Sequence, residues 1–135
     1  MKIALFIGLP PKEVKANYGR QHGSHWKVSK AKAAYKKMAF TAAKSPAVPR
    51  LNGPLKKVRL RYTAFWPSNR NRMDPDNLIF AMKSALDGIV KAKLIADDSD
   101  REVTLLPPRQ RLARDTDNDP TVRAPGILIE IEEDE

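Results

Sequence analysis

The chain contains no cysteine, which excludes disulfide bridges, cysteine-based zinc sites and thiol nucleophiles and fits a reducing, cytoplasmic environment. Long apolar runs are also missing. The apolar stretch near the start, "IALFIGL", is ended by Pro10 and Pro11, and no small-residue cleavage site follows it. We therefore interpret it as a buried strand and not as a secretion signal. No stretch approaches the ~20 apolar residues of a membrane span, so we expect no membrane partner.

Acidic residues are nearly absent from the first half of the chain. Residues 1–72 hold 17 Lys and Arg against one acid, Glu13, for a net charge of +16. Residues 73–135 hold eight bases and 15 acids, for a net charge of −7, so the whole chain carries +9. A surface that serves solubility alone usually mixes positive and negative side chains, whereas a basic region is typical of proteins that bind a polyanion. Nucleic acid is the favoured partner, because no basic helix with Trp or Leu along one face indicates a lipid surface.

Length and composition bound the architecture. With 135 residues, 41% of them hydrophobic, the chain is expected to form a single domain over residues 1–135. The apolar pattern predicts an α+β fold, a small mixed β-sheet with two main helices in the order β-α-β-α-β-β. The predicted strands are residues 2–8, "KKVRLRYTAFW", "REVTLLP" and "GILIEIE", and the predicted helices start near Ser29 and run from Pro75 to Lys91.

The connections between these elements predict how the strands pair. A helix joins the second strand to the third, which allows these two strands to be parallel neighbours. The last two strands can pair as a hairpin, with residues 107–125 as a mobile loop rich in Pro, Arg and Asp between them. In the second strand Val58, Leu60, Tyr62 and Ala64 alternate with polar or charged residues. One face of that strand is therefore expected to pack and the other to carry a row of cations.

The first helix is predicted to have one buried and one basic face. Ser29 is a plausible N-cap for it. Its buried stripe is expected to consist of apolar residues at steps of three and four, namely Val28, Ala31, Tyr35, Met38 and Ala42. Lysines fill the other face, which is consistent with a polyanionic partner.

The segment "NRMDPDNLIFAMKSALDG", residues 71–88, starts the second helix with two aspartates. Asp74 suits an N-cap and Asp76 gains from the helix dipole, so an ordinary acidic helix start is one explanation. A metal site is the other. Lys83 and Asp76 fall along the same border of the apolar stripe, about 10 Å apart along the axis, and helical side chains lean toward the N-terminus. A salt bridge from Lys83 to Asp87 is the alternative role for that lysine.

A second acidic group, in "AKLIADDSD", precedes the third strand. If that strand returns beside the second strand, Asp98 can approach Asp74 and Asp76, with Asp97 next to it. Three carboxylates held together repel one another unless a cation lies among them, and Mg²⁺ or Mn²⁺ is the natural occupant of such an oxygen site. A solvated turn is the alternative for the two adjacent aspartates.

An acidic metal site within a basic protein indicates DNA cleavage. Cations hold the phosphate backbone, while a metal activates water and stabilises charge on the phosphate. Lys83 beside the metal can stabilise that charge or protonate the leaving oxygen. The cations expected to contact DNA are Arg20, Lys27, Lys30, Arg59, Arg61, Arg70 and Arg72. Phe65 and Trp66 can stack on unpaired bases, although a core role for one of them is the favoured interpretation.

The segment "DPDNLIFAMKSALDGIVKAKLIADDS" resembles the RusA family of Holliday junction resolvases, which phages and prophages commonly carry. The family pattern has an Asp-x-Asp-Asn motif, a helical lysine, an "LDGL"-like turn and paired aspartates before a strand. The stretch "LPPKEVKANYGRQHGSHW" is similar to the family's opening strand and Pro-Pro loop, with Arg20 and His25 in roughly the expected order. The resemblance covers about residues 3–106.

The resemblance implies a homodimeric, Mg²⁺-dependent endonuclease that nicks two opposed strands of a four-way DNA junction. Its catalytic and metal-binding carboxylates are then Asp74, Asp76 and Asp98, with Asp97 in support and Lys83 as the catalytic lysine. In some members the lysine follows the second aspartate by four residues, where this chain has Phe80. The alternative is a non-catalytic basic DNA-binding protein whose aspartates merely cap a helix.

Overall fold

A computed structural model describes residues 1–15, 25–113 and 124–134. It confirms the α+β class, with a mixed five-stranded sheet and helices against it. No helix within these ranges is long and apolar enough to cross a membrane. The strands are β1 (Lys2–Ile7), β2 (Val58–Trp66), β3 (Val103–Leu105), β4 (Arg109–Leu112) and β5 (Gly126–Glu133). The helices are α1 (His25–Ala43), α2 (Pro75–Ala81) and α3 (Lys83–Lys91), and 3₁₀ turns form at Lys12–Val14 and Asn69–Asn71.

The sheet has the order β1-β5-β2-β3, and β4 also pairs with β2. The predicted parallel pairing of the second and third strands is confirmed, with Val58 opposite Val103. The predicted hairpin between the last two strands is wrong, because β5 lies between β1 and β2 and is antiparallel to both. Its isoleucines Ile127, Ile129 and Ile131 are fully buried. They therefore favour the centre of the sheet over an edge hairpin.

The composition predicted a loop over residues 107–125, but part of this segment forms a strand. Arg109–Leu112 forms β4, which runs parallel to the second half of β2 with Arg109 opposite Thr63. Three of the four residues in "RQRL" are polar, so the strand leaves no hydrophobic alternation in the sequence. Backbone hydrogen bonds pair this strand with β2. Residues 114–123 lie outside the described part of the chain.

The helix α1 starts at His25, earlier than the predicted Ser29, and its buried face differs from the predicted stripe. Tyr35, Ala39 and Ala43 are buried, whereas Met38 is 44% exposed. The buried residues follow one another at steps of four, which marks a narrower face than alternating steps of three and four. The Tyr35 hydroxyl donates a hydrogen bond to the Gly8 carbonyl at 2.9 Å and so ties α1 to the end of β1.

The helix predicted over 75–91 is divided at Met82 into α2 and α3. Met82 is fully buried, with φ −85° and ψ −3°, and its N–H contacts the carbonyls of Leu78 and Ile79 at 3.1 and 3.2 Å. Gly88 lies inside α3, so "ALDG" is helical here and not a turn. A Cβ at Gly88 would collide with the carbonyl of Lys36, so this glycine allows α1 and α3 to pack closely.

Candidate functional site

Asp74 and Asp76 begin α2, directly after the segment that leaves β2. Asp74 occupies the N-cap position with an extended backbone, φ −60° and ψ 144°, but its side chain makes no capping hydrogen bond. Both aspartates are exposed. Neither carboxylate forms an ion pair with a residue that the structure describes. Helix capping therefore does not account for Asp74, and both carboxylates are available to a ligand from outside.

The backbone before Asp74 is fixed by Gln110 of β4. The Gln110 side-chain oxygen accepts hydrogen bonds from the Met73 N–H at 2.9 Å and from the Trp66 indole N–H at 2.8 Å. Its side-chain nitrogen donates to the Met73 carbonyl at 2.6 Å. The sequence does not indicate this residue, because a single glutamine in a segment expected to be a loop gives no signal.

The aspartates of the second acidic group lie in the segment between α3 and β3. Asp97 and Asp98 are both exposed, and the Asp97 carboxylate accepts a hydrogen bond from the Asp98 N–H at 2.8 Å. The Asp98 carboxylate acts on Tyr62 in the middle of β2. Burial raises the pKa of the Tyr62 phenol, and the negative charges of Asp87 and Asp98 raise it further. Asp98 and Asp87 therefore act electrostatically on the same buried hydroxyl.

The structure does not assemble Asp74, Asp76 and Asp98 in advance as a three-carboxylate group. Within residues 1–15, 25–113 and 124–134, no three Asp, Glu or His side chains are grouped so that they could hold a metal ion. Proteins usually bind Mg²⁺ through one or two carboxylates together with water and substrate phosphate. Asp74 and Asp76 supply oxygen donors of that kind, exposed and unpaired within the described structure. These two carboxylates are therefore compatible with a divalent cation that takes its remaining ligands from outside the chain.

Two lysines lie on the helices of this region. Lys83 is the exposed first residue of α3 and forms no ion pair with Asp87, so that alternative is not observed in the described structure. Lys32 of α1 places its ammonium 5.8 Å from the centre of the Phe80 ring in α2. Sequence spacing could not find Lys32, because its position depends on how α1 packs beside α2.

Several of the predicted DNA contacts surround the acidic helix start or lie on α1. Arg70 and Arg72 are exposed just before Asp74, and the Arg72 Nε–H donates to the Asn69 side chain at 3.0 Å. On α1, the Lys27 ammonium lies 5.9 Å from the ring centre of Trp26, which is 67% exposed, and Lys30 is exposed as well. His25, the first residue of α1, is also exposed.

The remaining predicted contacts lie elsewhere. Arg59 and Arg61 alternate in β2 with the residues that pack in the core, so they face the opposite side of the sheet. Arg59 pairs with Glu132 at 3.3 Å, and Arg61 keeps a buried Nε–H without a partner in the described structure. Arg20 lies outside the described residues. Phe65 and Trp66 are 4% and 2% exposed, so both are core residues and not surfaces for base stacking.

Comparison of the chain with models of protein families finds no match. Comparison with curated proteins finds none either.

Proposed function

We propose that this protein is a Mg²⁺-dependent, structure-selective DNA endonuclease that resolves Holliday junctions by paired phosphodiester hydrolysis. The observation that carries the proposal is the state of Asp74 and Asp76. Both are exposed and unpaired in the described structure, although Arg70 and Arg72 precede them directly in the chain. Two neighbouring carboxylates that leave adjacent cations unused are well suited to a cation that arrives with the substrate.

The residues of the chain divide the work of hydrolysis between them. Asp74 and Asp76 would hold Mg²⁺ or Mn²⁺, which would supply activation of water and stabilisation of charge on the phosphate. Asp98, supported by Asp97, is proposed as the further ligand, as the resemblance to the RusA pattern implies. Lys83 stabilises the developing negative charge or gives a proton to the leaving oxygen.

The basic side chains near the acids hold the DNA. Arg70 and Arg72 contact the phosphate backbone next to the cleaved bond, and Lys27 and Lys30 of α1 extend this surface. Resolving a four-way junction requires one cut in each of two opposed strands, at symmetric positions. A homodimer with one site in each subunit supplies two cuts with the required symmetry.

The experiment that tests this function uses a labelled four-way junction, with and without Mg²⁺. The wild-type protein is expected to nick the junction only with Mg²⁺ and to leave linear duplex of the same sequence largely uncut. The Asp74→Asn variant is expected to bind the junction at least as tightly and not to nick it. Asp100→Asn, which removes another exposed acid, is the matched control and should cut like wild type.

A non-catalytic DNA-binding protein is the second candidate. The absence of a ready three-ligand group within the described residues favours it. It predicts junction binding without nicking by the wild-type protein and by Asp74→Asn alike, in the presence of Mg²⁺ or Mn²⁺. Comparable cutting of linear DNA and junctions would instead indicate a nuclease without structure selectivity.

A further inference from the structure

We infer that Gln110 is a positioning residue that sets where Asp74 and Asp76 stand relative to the sheet. The inference rests on the proposed function and adds a residue to it from β4. Gln110 touches neither aspartate in the described hydrogen-bond network. It acts through the backbone of Met73, the residue immediately before Asp74.

The carboxamide of Gln110 makes three hydrogen bonds. Its oxygen accepts from the Met73 N–H and the Trp66 indole N–H, and its nitrogen donates to the Met73 carbonyl. The opposite orientation of the amide would set its nitrogen against two donors and its oxygen against a carbonyl. The orientation is therefore determined by the partners themselves.

These bonds connect the start of α2 to the sheet at β2 and β4. Gln110 lies opposite Ala64 in the parallel pairing of β4 with β2, and Ala64 is fully buried. The Met73 carbonyl that Gln110 holds belongs to the peptide bond joining Met73 to Asp74. Since Met73 is hydrogen-bonded at both its N–H and its carbonyl, the backbone position from which Asp74 follows is fixed relative to β4. Release of Met73 would free the backbone that leads into Asp74 and the start of α2.

The glutamine side chain satisfies all three partners, namely the Met73 N–H, the Met73 carbonyl and the Trp66 indole N–H, and two substitutes of similar size do not. A methionine has a similar size but leaves the N–H and carbonyl of Met73 and the Trp66 indole N–H unpaired. A glutamate keeps the accepting oxygen, but at neutral pH its second oxygen faces the Met73 carbonyl and repels it. Protonation of that glutamate restores a donor, so its effect should depend on pH.

The test compares Gln110→Met and Gln110→Glu with wild type. Val103→Ala is the matched control, because Val103 is buried in β3 and pairs with Val58, six residues along β2 from Ala64, the partner of Gln110. Three quantities are measured: exchange of the Met73 amide hydrogen by NMR, Mn²⁺ affinity of the protein–junction complex by electron paramagnetic resonance, and the rate of junction cleavage at saturating protein.

Gln110→Met is expected to speed exchange at Met73 and to lower Mn²⁺ affinity and cleavage by about 10-fold to 100-fold, as loss of a supporting partner usually does. Junction binding without metal should stay close to wild type. Cleavage by Gln110→Glu, divided by wild-type cleavage at the same pH, should rise as the pH falls. Val103→Ala should leave Mn²⁺ affinity and cleavage by the folded fraction unchanged.

Two results would overturn the inference. Fast exchange at Met73 in Gln110→Met with wild-type Mn²⁺ affinity and cleavage would show that the hydrogen bonds serve stability alone. A pH-independent ratio for Gln110→Glu would count against it in the same way. If the wild-type protein itself neither binds Mn²⁺ on the junction nor cuts it, the proposed function fails, and the inference fails with it whatever the Gln110 variants do.

Discussion

The ammonium of Lys32 in α1 lies 5.8 Å from the centre of the Phe80 ring in α2. Phe80 follows Asp76 by four residues, and side chains at that spacing are neighbours on a helix. A cation from α1 therefore lies beside Phe80, one helical turn after Asp76. Lys83 provides a second cation from α3, seven residues after Asp76.

The two lysines are expected to differ in their effect on cleavage. Lys83→Met should lower the rate at saturating junction by about 10²-fold to 10⁴-fold, the range for loss of a group that transfers a proton. Lys32→Met should have a smaller effect, about 10-fold, because its charge acts from the neighbouring helix. Single-turnover cleavage of the labelled junction measures both.

Lys91 offers a control for Lys32. Its ammonium lies 6.0 Å from the ring centre of Phe40, a contact of the same kind between α3 and α1 that involves neither Asp76 nor Phe80. Lys91→Met should therefore cut junctions at the wild-type rate. Equal losses for Lys32→Met and Lys91→Met would show that general basicity, and not the position of Lys32, is what matters.

The salt dependence of junction binding should identify which arginines contact phosphate. Each phosphate contact adds about 0.9 to the magnitude of the slope of log K against log salt concentration. Arg72→Gln should lower that magnitude by about 0.9 if Arg72 makes one contact. Arg59→Gln should lower it by less, because Arg59 pairs with Glu132 on the opposite face of the sheet. The reverse ranking would place the DNA on that opposite face.

Gly88→Ala should destabilise the fold although alanine is the better helix former. The new Cβ would meet the backbone carbonyl of Lys36 and the Phe40 nitrogen, which cannot move without shifting α1. We expect a net loss of about 1–3 kcal/mol in the free energy of unfolding, measured with urea. Gly53→Ala is the control, because nothing lies near a Cβ there. Equal stability for both variants would contradict the close packing of α1 on α3.

The buried tyrosines predict a loss of stability at alkaline pH. Burial raises the pKa of the Tyr35 and Tyr62 phenols above their ordinary value of 10.0, and Asp87 and Asp98 raise that of Tyr62 further. The unfolded chain releases these protons near pH 10, while the folded chain keeps them. The stabilisation is therefore complete below pH 10 and is lost as the pH rises above it, by about 1.4 kcal/mol per pH unit for each tyrosine.

Tyr62→Phe isolates one of these two contributions. Urea unfolding at pH values between about 9 and about 11 should show a shallower loss of stability for the variant than for wild type, by the slope of one tyrosine. Identical slopes would mean that Tyr62 ionises as readily in the folded protein as in the unfolded chain.

Much of the fold follows from apolar patterning in the sequence. The alternation from Val58 to Ala64 predicts β2 and its buried face, and the helix between β2 and β3 predicts their parallel pairing. The position of β5 between β1 and β2 could not be predicted from the sequence, because apolar alternation indicates a strand but not which strands it pairs with. The strand β4 was missed because backbone pairing forms it and its side chains are mostly polar.

The sequence singles out the carboxylates of the candidate site, but it does not predict where the fold places them relative to one another. Asp74 and Asp76 stand out because two acids flank a proline at a helix start. The surroundings of Asp98 depend on the path of the chain after α3, and in the structure its charge raises the pKa of Tyr62. Gln110 and Lys32 are far from the aspartates in sequence, so only the packed structure shows their relation to α2.

The central claim is that Asp74 and Asp76 bind a divalent cation on the junction. Titration of Mn²⁺ into the protein–junction complex, followed by electron paramagnetic resonance, tests it most directly. The wild-type complex and an Asp134→Asn control should bind Mn²⁺, and the double variant Asp74→Asn/Asp76→Asn should lose that binding while still holding the junction. Mn²⁺ binding by the double variant at wild-type affinity, or none by the wild-type complex, would contradict the account.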